Sequence, residues 1–173
     1  MTTKQVSPPA RTPIQLVQSM REHVLWLLDG GHAHVKMDAA LADLPAKLYG
    51  AKPPHIPHSP WRLVEHMRIA QWDILEFCRN PRHESPAWPE GYWPAGDAPP
   101  DAAAWDRSVQ ALRADLAAMR ALVSDKSSDL YEPFPHGQGQ TLLREALLVA
   151  DHNAYHLGQL IVVRRALGAW QDE

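Results

Sequence analysis

A single cysteine, Cys78, in 173 residues excludes an intrachain disulfide, so packing alone must hold the fold. The chain is long enough for that, because a domain of this size buries roughly 70% of its unfolded surface. Positive charge is not in excess: 17 Lys and Arg face 20 Asp and Glu, a net charge of −3. That argues against a nucleic-acid binder, which needs clustered cations for phosphate contact. Apolar runs are short, and none approaches the ~20 residues that span a bilayer. The first residues, MTTKQVSPPARTP, lack the apolar stretch of a signal peptide. With one cysteine and no leader, the expected location is cytoplasmic. Strand-like alternation between hairpin turns is missing as well. So are a Gly-rich phosphate loop, a Gly-x-Ser-x-Gly elbow and a Cys-x-x-Cys pair, which leaves the commonest phosphate, serine-hydrolase and redox chemistries without their motifs.

What the chain has in quantity is proline (16), histidine (10) and tryptophan (7). The prolines cluster at 8–13, 53–60, 81–100 and 133–135. A helix interior rejects proline, so helices are expected between the clusters. Four long proline-free stretches follow, at roughly 12–29, 59–80, 101–125 and 141–168, in one domain with a flexible arm at 1–11. Thr12-Pro13 and Ser59-Pro60 read as N-cap and first helical residue, and Asp101 as a third cap. Apolar stripes run through each stretch: Val17, Met20, Val24 and Leu27 in the first, and Trp105, Val109, Leu112, Leu116, Met119 and Val123 in the third. Residues 33–48 suit a short extra helix, and 81–100 a long, mobile proline-rich loop. The fold class is all-α, a four-helix up-and-down bundle. In such a bundle the second and fourth helices are parallel and diagonal.

Two stripes are interrupted by histidine. His66 falls between Leu63 and Ala70, and His152 and His156 fall where Leu or Ala would continue the fourth stripe. Residues at i and i+4 share a helical face, so His152 and His156 can reach one metal ion. By itself that spacing is a weak signal in a chain with ten histidines. If both interrupted stripes face inward, His66 joins the pair, and three imidazoles with an open fourth position form a catalytic type of metal site. The bland alternative is three core histidines bonded to carboxylates or carbonyls. A His-Glu-x-x-His protease is excluded because Asn153 follows His152, and a di-iron carboxylate bundle because Glu65 directly precedes His66. Asp73 and Gln159 are candidates to orient the rings, while Asp151 points away. Cys78 reads as a packing residue, His55 and His58 as solvated loop residues, and His23 as a marginal lining candidate. Trp88 and Trp93 sit in the long loop, where aromatics can cover a pocket.

The segments SPWRLVEHMRIAQWDI and TLLREALLVADHNAYHLGQL resemble the second and last helices of the DinB-like superfamily, which includes the YfiT-type metal-dependent hydrolases and thiol transferases. The matching residues are His66, then His152, His156, Gly158 and Gln159. The resemblance runs from about residue 13 to 168. It implies a four-helix bundle with a divalent metal on His66, His152 and His156, commonly in a homodimer. Zinc is the expected metal, with nickel or iron as alternatives. The implied activity uses the metal to activate water or a low-molecular-weight thiol, such as bacillithiol, mycothiol or glutathione, against a small-molecule substrate. The rival from another class is a non-catalytic, stress-associated metal-binding bundle.

Overall fold

The structure is a computed structural model that describes residues 12–170; the arm expected at 1–11 lies outside them. Proline and capping chemistry divide the chain much as the sequence suggests. Thr12 and Gln15 form a reciprocal capping box, with Pro13 in the first turn, and start α1 (Pro13–Asp29). The helix ends on Gly30, whose φ of 65° lies in the left-handed region that glycine tolerates. A short α2 (Met37–Leu41) and a single 3₁₀ turn (Ala46–Leu48) fill the region of the expected extra helix. The Ser59 hydroxyl accepts the Arg62 N–H at the start of α3 (Pro60–Arg79). A second 3₁₀ turn, Glu90–Tyr92, lies inside the proline-rich loop. α4 (Ala104–Ser124) starts later than expected. Asp101 is not its cap but sits just before it, accepting the Ala103 N–H at 2.9 Å and pairing with Arg107. Thr141 caps α5 (Leu142–Ala166) through the Arg144 N–H. Among the described residues there is no strand, only one isolated bridge between Pro133 and Thr141. None of the helices found there is long and apolar enough to cross a membrane.

The helices do not follow the up-and-down order. One apolar cluster combines the first halves of α3 (Leu63, Val64, Met67) and α4 (Trp105, Val109, Leu112) with the last half of α5 (Leu157, Leu160, Val163). The other combines Leu75 of α3 and Met119 and Val123 of α4 with Leu142, Ala146 and Val149 at the start of α5, and with Val24 and Leu28 of α1. α3 and α4 are therefore parallel, and α5 runs against both. α3 packs on α4 and α5, and α1 packs on the same two helices from the other side. The second and fourth long helices are thus antiparallel neighbours rather than parallel and diagonal. Two parallel neighbours cannot be joined by a tight turn. α3 is about 30 Å long at 1.5 Å per residue, and residues 80–103 carry the chain back along that length. The long proline-rich loop is this crossover.

A polar layer separates the two clusters. Gln71, 1% exposed, donates to the Leu112 carbonyl at 2.6 Å and accepts from Asn153 at 2.7 Å, joining α4, α3 and α5. In α1 the buried face is Arg21, Val24 and Leu28, while Met20 and Leu27 of the expected stripe are substantially exposed. Arg21 is buried because its guanidinium donates to the carbonyls of Val123, Asp125 and Ser128, completing the C-terminal end of α4.

Candidate metal centre

Antiparallel packing brings the middle of α5 against the first half of α3, and three imidazoles meet there. His66 and His156 are 4% and 6% exposed, and His152 is half-buried. Their ring nitrogens lie within 4.8 Å of one another. His66 Nε2 is 3.1 Å from both His156 Nε2 and His152 Nε2.

The opposite ring nitrogens settle the proton positions. His66 Nδ1 is 2.8 Å from the Tyr92 carbonyl, which can only accept, so that nitrogen carries the proton. His156 Nδ1 donates in the same way to Gln159 Oε1 at 2.8 Å. In neutral rings both Nε2 atoms are then bare lone pairs, facing each other with no proton between them. Burial holds the rings neutral. It lowers the pKa of His66, takes that of His152 to about 3 with help from the neighbouring imidazoles, and that of His156 to about 4. The third ring, His152, has its Nε2 3.1 Å from His66 Nε2, and its single N–H can satisfy one of these lone pairs but not both, whereas a cation among the three rings satisfies all of them. The spacing fits one: two imidazole nitrogens on a tetrahedral ion, each at about 2.0–2.1 Å, sit roughly 3.3 Å apart.

The crossover loop supplies the support. Trp93 stacks flat on His66, with centroids 3.9 Å apart and planes 2° apart. His58 stacks on Trp93 at 4.3 Å, and the Arg62 guanidinium lies over the indole. Asp73 does not touch His66, contrary to the simplest reading of its place on the same face. One carboxylate oxygen accepts from Tyr92 Oη at 2.6 Å and the other from His83 Nε2 at 2.7 Å. Asp73 thus clamps the loop at two points, and the loop presents the Tyr92 carbonyl to His66. Burial, followed by this hydrogen bond, raises the Tyr92 hydroxyl to about 12, so it stays protonated and donating. The Ser59 hydroxyl donates to the Asp97 carbonyl and pins the far end of the loop.

The other histidines lie elsewhere. His23, His32, His34, His55 and His136 are exposed. His58 is not the solvated residue its loop suggested, and His83 is buried against Asp73. Gln159 does hold His156, as its position one turn on suggested. Trp88 is 76% exposed, so of the two loop tryptophans Trp93 covers the centre. Tyr92 had no signal in the sequence, since what it contributes to His66 is a main-chain carbonyl. Cys78 is partly buried at the edge of the second cluster, and burial with the nearby Glu145 lifts its thiol to about 12.

No curated protein and no solved structure matches the chain. A family model described as the DinB superfamily matches residues 32–160, a span that holds His66, His152, His156, the crossover and its Asp73 clamp. On that match, together with the all-helical fold, the chain belongs to the DinB superfamily.

Proposed function

We propose that this is a metal-dependent enzyme in which His66, His152 and His156 hold one divalent ion, zinc in the first instance, for hydrolysis or for transfer of a low-molecular-weight thiol. The observation that carries the reading is the pair of bare Nε2 lone pairs at 3.1 Å, each fixed by a hydrogen bond on the opposite ring nitrogen. When bound, such an ion supplies Lewis acidity that makes a water or thiol acidic near neutral pH. The chain's own part is positional. Tyr92 and Gln159 set the ring orientations, Trp93 lies flat on His66, and His152 is only half-buried. Three protein ligands, one of them partly accessible, favour a reactive site over the alternative, a closed structural metal in a non-catalytic bundle. We further propose that residues 1–173 form one domain that pairs as a homodimer and takes neither nucleic acid nor membrane as partner.

Metal content of protein purified without a nickel column tests the reading. Wild type and His23→Ala, a change at an exposed position of α1, are expected to carry one divalent ion per chain, and His156→Ala to lose it. Equal stoichiometry in all three sinks the triad. A screen of thiols against electrophilic acceptors, run with and without chelator, then separates enzyme from passive binder: chelation abolishes turnover in the first case and only lowers the melting temperature in the second.

A further inference from the structure

Beside the triad lies an open cleft of about 370 Å³ between α5 and the loop that precedes α3. Its volume is in the range of small-molecule sites. Its accessible apolar lining is Ile56, Pro57 and Val162, with the fully buried Leu63 and Val163 behind them. The polar groups among its lining residues belong to side chains that also touch the metal centre or its cover. Gln159 accepts from His156, the Tyr155 ring stands on edge against His156 at 4.9 Å, and His58 is stacked on Trp93. The cleft is therefore polar at the end near the triad and hydrocarbon beyond it.

We infer that the site takes a small molecule of two parts, a donor head that reaches the ion and a hydrocarbon tail that lies along Ile56, Pro57 and Val162. The inference rests on reading the triad as a metal centre, and deepens it by naming the substrate class. A peptidic or sugar-bearing thiol does not suit this cleft, because its amides and hydroxyls would be desolvated against aliphatic walls without partners. If such a thiol is used, the cleft holds the other reactant.

Alkyl hydroxamates test this, since one metal-binding head can be carried on tails of different length. Affinities of acetohydroxamic and octanohydroxamic acid for the zinc-loaded protein are measured by calorimetry, with methyl NMR shifts recorded at Ile56, Leu63 and Val162. Each buried methylene strengthens binding about fourfold, so the longer probe is expected to bind on the order of 100-fold more tightly even with part of its tail exposed. Val162→Asp, at a position already 54% exposed, should keep its fold and its acetohydroxamate affinity and lose the gain from the tail. Equal affinity for the two probes overturns the cleft assignment while leaving the metal centre standing. A gain that survives in Val162→Asp, or that moves no methyl signal in the cleft, overturns it as well. Failure of both probes on a chain that also retains no zinc removes the metal centre, and the inference with it.

Discussion

Gln159 holds His156 through one hydrogen bond, and its loss has a defined cost. Gln159→Leu leaves an N–H without an acceptor and a ring free to turn, so metal affinity should fall about 10–100-fold, as removal of ring-orienting partners typically does. Competition with a chromophoric chelator measures this, and an unchanged dissociation constant contradicts the role. Cys78 makes the opposite kind of prediction. With its thiol lifted to about 12, modification by iodoacetamide at pH 8 should be far slower than that of free cysteine. A rate matching the free amino acid would falsify the packing assignment. The three clustered histidines were legible in the sequence because each replaces an expected apolar residue on a helical stripe. Tyr92 was not legible, since every residue owns a carbonyl and only the loop path decides which one meets His66. His58 was misjudged for a related reason: a loop address carries no information about burial.

The crossover of residues 80–103 is held by Asp73 near its start, by Trp93 over the metal centre and by Ser59 at its far end. Its proline content suggested a mobile segment. The anchors predict that amides near Tyr92 and Trp93 are protected, and that Asp73→Ala exposes them to exchange while Leu116 in α4 keeps its wild-type rate. Exchange mass spectrometry on the two proteins decides between clamp and bystander. Helix limits were readable because caps and prolines act locally. Helix pairing was not, since an apolar stripe states which face is buried and says nothing of which neighbour covers it. In α1 even the face was shifted, because counting apolar residues favours Leu27 and cannot see that Arg21 is buried to satisfy three carbonyls.

For the chain as one thermodynamic system, the histidine centre sets the response to acid and to metal. In the metal-free protein His152 and His156 titrate at about 3 and about 4, against about 6.5 when unfolded. The unfolded chain therefore binds more protons throughout that interval. Stability is complete above about pH 6.5 and declines as pH falls toward 3. Urea midpoints of metal-free protein across this range should follow that slope, and a flat profile between pH 6.5 and 4.5 counts against buried neutral rings. Zinc at a free concentration 100 times its dissociation constant should add about 2.7 kcal/mol, raising the melting temperature by roughly 5–10 °C, an increment absent in His156→Ala.

Parallel α3 and α4 also govern how time enters. No tight turn can zip them together, so their pairing waits for a distant stretch of chain: Gln71 meets Leu112 across 41 residues, and His66 meets His156 across 90. Such contacts must form against loop-closure entropy, which delays them relative to the local turns of each helix. The three metal donors consequently come together only after α5 has docked, late on the folding path. A cation that needs all three cannot hasten a step that precedes its own site. In stopped-flow experiments zinc should leave the refolding rate unchanged and slow unfolding, acting as a latch that closes behind the assembled helices rather than a template that gathers them.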